Sequence, residues 1–476
     1  MKPRQLHSTV IVLVCLLSGA RSLAAGQTTA AAPGGDGQQQ HAGHQKEQPA
    51  PAASQPRDQT GPKLRLEDLE KMALEGNPTL AQAAAAVRAA EGRRLQAGLY
   101  PNPVIGPKAE EVSPGPIIRY GEWGGFVEQR IVTAGKRKLS RQVFEHERSQ
   151  AEATAQAQRY RVLNTVRSLY YEALAAERLV KVKTELVKIA DTAVKTSREL
   201  ANVGQADQPD VLEVEIEAQR AEVGLEMARN DQWRVWRQLA AVVGRPSLEI
   251  LPLEGSLEEL PKLELESAMS VLFQESPELR AAEAGVARSE AALRRVRVEK
   301  IPDIIARGGL MYNRELLERD RRPVGREGFF EVAIQIPIFN RNQGAVAAAQ
   351  AELERARLEV ERRKLSLRAR LAAAYREYQN SRLLAERYRI QILPRAQKAH
   401  QLLLSSFREM AAAYPQVLIA QRNWFQLQEE YARAAVNVWR SAVEIQGLLL
   451  MGGLEAPSLD EMGGPAVGPY PGGEER

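Results

Sequence analysis

Between Lys136 and Val203 the chain runs for 68 residues without a proline or a glycine. A helix of that length rises ~1.5 Å per residue and spans roughly 100 Å. It cannot fold back into the core of a globule and demands neighbours of similar length. Val166, Ala173, Val180, Val187 and Val194 recur every seventh residue along it, which turns one apolar seam toward a partner helix. Gly204 marks its stop. A second stretch of the same kind runs from about Gln343 to Glu409, with a predicted kink at Pro394.

The two long helices sit in two copies of one unit. Asn77-Pro78-Thr79-Leu80 opens an Ala-rich helix in the first copy, and Ser276-Pro277-Glu278-Leu279 opens one in the second. The exits are Tyr100-Pro101-Asn102-Pro103 and Ile301-Pro302-Asp303-Ile304. Further on, Pro209, Val211, Leu212 and Trp233 match Pro415, Val417, Leu418 and Trp439 at a constant offset of 206. The copies cover 63–243 and 266–451, joined by a linker over 244–265.

Within each unit the period changes from helix to strand. Phe330, Val332, Ile334, Ile336 and Ile338 alternate with Glu331, Ala333, Gln335 and Pro337, which predicts a strand over about 329–338 with one apolar face. Its partner is predicted over 304–312, alternating Ile304, Ala306, Gly308 and Leu310 against Arg307. Strands over about 102–112 and 124–132 are expected in the first unit, with a less defined register. Strands of about ten residues match the ~9–11 that cross a bilayer obliquely. Tyr312, Phe329, Phe330 and Trp123 lie near strand ends, where a membrane-interface girdle would sit; aromatics capping a soluble hairpin is the other reading.

The rest of the chain agrees. Lys2 and Arg4, the apolar run Val10 to Leu17 and the small residues around Ala24 and Ala25 read as a signal peptide over 1–25. Cys15, the only cysteine, lies inside that run with Val14 before it, which argues against lipidation and excludes a disulfide framework. Residues 26–62 read as a disordered Gln/Ala/Pro-rich tether, and 452–476 as a loose Gly/Pro-rich tail. After the leader no stretch approaches the ~20 apolar residues of a membrane-spanning helix, so an exported chain of this kind is soluble or crosses as a closed β-barrel. The net charge of +5 includes Lys2, Arg4 and Arg21 of the leader and gives no reason to expect nucleic acid. Nothing resembles a nucleophile–base set, a phosphate loop or a metal-protease motif, so neither an enzyme nor a cofactor is expected.

The order of these features resembles TolC-family outer-membrane efflux proteins, nearest the CzcC-like branch of heavy-metal systems driven by an RND pump. The resemblance covers about 64–451. It rests on the duplicated helix–two strands–long helix–helix plan, Tyr100-Pro101-Asn102-Pro103, Gln129 with Gly135-Lys136-Arg137, Gln335 through Phe339, and Val203-Gly204 leading into Val211-Leu212. It implies a mainly α fold with a small transmembrane β part: a homotrimer whose strands form one 12-stranded barrel, continued by a periplasmic α-helical barrel. The 244–265 segment and the tail would form a belt around its middle. The implied role is a passive exit duct in outer-membrane lipid, fed by a periplasmic adaptor (membrane fusion protein) and an inner-membrane RND transporter. Metal cations are the cargo this branch suggests; drug efflux, type I protein secretion and a soluble periplasmic scaffold or adaptor are the alternatives.

In such relatives the tip between long helix and return helix meets the adaptor. Here that tip holds Val203, Gly204, Gln205, Asp207 and Asp210, and in the second copy Met410 stands where Gly204 stands in the first. Asp207 before Pro209 is a good N-cap and Asp210 complements the helix dipole. Threefold symmetry would also gather both acids into a charged aperture. Gly135-Lys136-Arg137-Lys138 with Arg141 reads as a solvated helix start, with lipid phosphate as the alternative. His41 and His44 fall in the tether, His146 and His400 read as isolated surface residues, and Glu213, Glu215 and Glu217 read as a solvated coiled-coil face. No resident metal site follows from them.

Overall fold

A computed structural model describes residues 63–111, 121–204, 207–316, 322–409 and 414–456. Helices α1 (Leu66–Gly76) and α2 (Pro78–Gly98) lead into strands β1 (Val104–Glu110) and β2 (Glu122–Ile131). The long helix α3 (Lys136–Asn202) follows, and α4 (Gln208–Val242) returns beside it. The second copy repeats the plan with α5 (Leu265–Glu275), α6 (Pro277–Arg297), β3 (Ile304–Leu316), β4 (Pro323–Ile334), α7 (Gln343–Arg387), a π-helical turn (Tyr388–Ile392), α8 (Leu393–Arg408) and α9 (Tyr414–Gln446).

The strands form one antiparallel sheet in the order β1-β2-β3-β4. Below it α2, α3, α6 and α7 pack side by side in the matching order, so each strand continues into its own helix. Gly135 (φ 65°) and Asn342 (φ 62°) take the left-handed conformation at the N-caps of α3 and α7. Gly tolerates that turn without a Cβ penalty and Asn better than most residues.

Three strand bounds differ from expectation. β4 starts at Pro323 instead of 329, and it ends at Ile334 instead of 338, ahead of Pro337, which has no N–H to donate to a ladder. β3 extends to Leu316, past the predicted 312. The kink expected at Pro394 takes the form of the π turn just before it. Proline lacks the N–H that would bond residue 390 and its ring crowds that carbonyl, and a π turn shifts the bonding register to absorb both.

Two apolar clusters hold the waist of the bundle. One gathers Leu69, Val162, Val166, Trp236 and Leu253; the other gathers Leu272, Leu367, Tyr378 and Val438. Of the heptad residues, Val166 and Ala173 lie in the first, while Val187 and Val194 flank a smaller cluster nearer the tip. The linker lies against both helix layers. Tyr378 donates to the Pro261 carbonyl at 2.7 Å and Tyr170 donates to that of Glu254. Burial, with smaller contributions from Tyr171 and Glu254, pushes the Tyr170 phenol up to about 12, so it remains a donor at neutral pH.

The described end of the tail is not loose, contrary to its composition. The Gly453 N–H donates to Thr165 Oγ1 at 3.0 Å, and its carbonyl accepts from Asn77 and Thr79. A Cβ there would press on the Val162 backbone, so this glycine serves close approach to α3.

Candidate channel-forming site

The sheet register sorts its side chains by chemistry. Gly106 opposes Phe126, Glu128 opposes Arg307, Arg307 opposes Glu331 and Gly309 opposes Phe329. Because strand side chains alternate, these residues share one face with Lys108, Glu122 and Asn313. That face is charged and knitted together. Arg307 pairs with Glu128 and approaches Glu331, and Asn313 donates to Glu122 at 2.8 Å. The opposite face carries Ile105, Trp123, Val127, Ile131, Leu310, Tyr312, Phe330, Val332 and Ile334, and all nine are exposed. Phe330 is 77% exposed.

The sheet curls with the charged face inside. Lys108 on β1 lies over the Phe329 ring on β4, 3.9 Å from its centroid, although two strands separate them. Phe126 and Phe329 fold over Gly106 and Gly309, where a Cβ would collide with each ring. Trp123 pairs with Tyr312 on the apolar face at the loop end, where a girdle is expected. The other two predicted girdle residues do not sit there: Phe330 lies within β4 opposite Gly308, away from either strand end, and Phe329 beside it faces the concave side.

β1 and β4 each leave one edge unpaired. The sheet is thus curled, with two open edges, a charged concave face and an apolar convex face. Water disfavours both the naked edges and the exposed apolar face.

At the other end of the sheet a buried ionic junction joins strands to helices. Lys136, expected in solvent, is 3% exposed and its Nζ lies 2.9 Å from Asp303 and 3.8 Å from Glu299. Asp303 also accepts from Arg130 at 2.9 Å and from the Thr133 N–H at 3.1 Å, while Thr133 Oγ1 donates to the Pro302 carbonyl. Burial by itself would raise the Asp303 carboxyl; the Lys136 ammonium, the Thr133 N–H and Arg130 outweigh it and hold the group below the usual carboxylate range. Arg295 donates to Ser140 at 2.8 Å, and the Arg137 guanidinium stacks on Tyr100. One acid thus fastens the end of β2, the start of α3 and the start of β3.

At the far end of the long helices Val203 is exposed and Gly204 adopts φ 75°. The Asp207 N–H donates to the Asp210 carboxylate at 3.3 Å and Asp207 is the N-cap of α4, the capping geometry the sequence implies. Both acids are exposed. Gln205 and Met410 lie outside the described residues. Glu215 pairs with Arg198 at 2.6 Å, tying α4 to α3, and Glu217 pairs with Arg220 and Arg422; these acids are bonded instead of merely solvated. His400 stacks on Trp424, and burial lowers its pKa, so it is not a plain surface residue. Among the described residues no group of three or more His, Cys, Asp and Glu is placed to hold a metal ion, and no helix is long and apolar enough to cross a membrane.

Known proteins share this fold. Solved structures of similar fold include CusC (17% identity, TM-score 0.69, covering 81% of this chain and 92% of that one). VceC from Vibrio cholerae is another (18%, TM-score 0.66, covering 82% and 97%). Cobalt-zinc-cadmium resistance protein CzcC of Cupriavidus metallidurans is 26% identical over 394 residues, 83% of this chain and 91% of its own. The outer membrane efflux protein family profile matches residues 69–245 and 268–449. With most of its length matched in both repeats, the chain belongs to the outer membrane efflux protein family.

Proposed function

We propose that three copies close their sheets into one 12-stranded barrel in the outer membrane, continued by their helices as a periplasmic duct. The observation that carries this reading is the division of the sheet into an apolar convex face and a charged concave face between two unpaired edges. Lipid accepts only closed backbone pairing, and alternation of apolar-out with polar-in is the pattern of a spanning barrel. The duct is passive and performs no catalytic step; an inner-membrane RND pump and a periplasmic adaptor deliver its cargo. The adaptor contacts the tip at Val203, Gly204, Gln205, Asp207 and Asp210, and at Met410 in the second copy. Asp207 and Asp210, besides capping α4, ring the aperture and favour cations there. Likeness to a cobalt-zinc-cadmium resistance protein supports divalent metal cations as cargo.

Cellular metal content tests this in a strain lacking the gene and complemented with either chain. Wild type is expected to lower zinc, cobalt or cadmium content, and the Asp207→Asn/Asp210→Asn chain to lower it less. Equal export by the variant removes the aperture role. A wild-type chain that leaves all three metals unchanged but lowers retained drug moves the cargo to organic molecules.

A further inference from the structure

The junction beneath the sheet carries far more positive charge than its own acids can balance. Within ten residues of the strand ends stand Lys138, Arg141, Arg294, Arg297, Lys300 and Arg341, all exposed. The acids at this level, Glu299 and Asp303, are taken up by Arg295, Arg130 and Lys136. None of the six exposed cations has an ion pair among the described residues. The Lys136–Asp303 pair, the Arg295–Ser140 bond and the Asn342–Val296 bond at 3.0 Å hold the three segments bearing them at one height.

A second feature marks the same level. Tyr100, Ile336, Ile338 and Phe339 are exposed just beyond the strands, Phe339 at 91%. Apolar and aromatic side chains bordered by Lys and Arg are the signature of a bilayer's headgroup zone. Juxtamembrane cation clusters attract anionic headgroups by ~1 kcal/mol per charge.

We propose that these six cations form a belt that binds the phosphate headgroups of anionic phospholipids in the periplasm-facing leaflet of the outer membrane. The inference rests on the membrane-spanning reading of the sheet. Headgroup phosphates supply the missing counter-charge, and the exposed apolar side chains reach into the acyl region above them. The belt thereby fixes the depth of the barrel, with the helices emerging directly below the phosphates.

Lipid retention by the full chain tests this. The protein is first floated with phosphatidylethanolamine vesicles; failure to float contradicts the membrane reading itself. It is then reconstituted in an equal mixture of phosphatidylglycerol and phosphatidylethanolamine and re-extracted, and the lipids that remain bound are measured by mass spectrometry. Wild type should retain phosphatidylglycerol in several-fold excess. Lys138→Gln/Arg141→Gln/Arg297→Gln/Lys300→Gln should cut that excess ~10-fold or more, as loss of several such charges implies. With wild type alone, the excess should collapse at 1 M salt, where screening shortens to about 3 Å. Equal retention of both lipids by wild type overturns the belt, as does an excess indifferent to salt. A variant that keeps the excess, or that loses its assembly, overturns it too, because the cations then face the lumen or a neighbouring copy.

Discussion

Asp303→Asn is expected to be among the most destabilising single substitutions in this chain. It leaves the buried Lys136 ammonium with only the more distant Glu299, and breaking a buried pair costs ~3–5 kcal/mol. Asparagine can still accept a hydrogen bond but supplies no charge. The expected loss is about 3 kcal/mol, read from the denaturant concentration at which the folded, slow-exchanging form disappears. Lys136→Met with Asp303→Leu should recover much of it, since a buried pair replaced by apolar groups is often neutral. The pH dependence has a definite sign. Because the folded carboxyl lies below its unfolded value of ~3.9, its stabilisation is present above that value and disappears as pH falls through the lowered folded value. Asp303→Asn should therefore lose stability at neutral pH and show a flatter decline in acid than wild type. A variant as stable as wild type at neutral pH would mean that the junction does not hold hairpins to helices.

The second large effect is expected at Asn164, fully buried on α3. Its amide donates to the Gly447 carbonyl at 2.8 Å and to that of Leu450 at 2.7 Å. Between those acceptors Leu448 (φ 59°) and Leu449 (φ 61°) hold the left-handed conformation, costing roughly 1–2 kcal/mol each. The strain is tolerated because Leu448, Leu449 and Leu450 all enter the core. Asn164→Leu keeps the volume but strands the buried Leu450 carbonyl, at ~1–3 kcal/mol, and leaves that of Gly447 only its bond from the Leu450 N–H at 3.2 Å. Loss of about 2 kcal/mol is expected, with enhanced proteolysis of the segment after Gln446. Gly447→Ala should act alike, because its Cβ would overlap the Asn164 amide. Unchanged protease resistance in Asn164→Leu would mean that the leucine turn is held by packing alone.

Sequence periodicity carried the long helices, the duplication and the apolar face of β4, because each repeats at a spacing that backbone geometry imposes. The first hairpin was harder. Its strands include Pro107, Gly124 and Gly125 in place of large residues, which blurs alternation. Its signal was the Gly106/Phe126 pair, which recurs as Gly309/Phe329 at an offset of 203. The Lys136–Asp303 junction was invisible for a different reason. Its partners are 167 residues apart, and a lysine opening a helix looks solvated until another segment packs over it. At the tip, capping by Asp207 was legible since it depends on neighbours three residues away. The anchoring of Gly453 was not, because glycine used for close approach and glycine used for looseness look the same in a sequence.

The central claim is that one chain supplies a third of a barrel. The direct measurement is the protein mass of the particle extracted from membranes in detergent, by light scattering that separates protein from bound detergent. The account predicts three mature chains per particle, extracted only with detergent. A monomer or dimer recovered from the periplasm without detergent would contradict it, for the open edges of β1 and β4 and the exposed face around Phe330 would then have no barrel to complete.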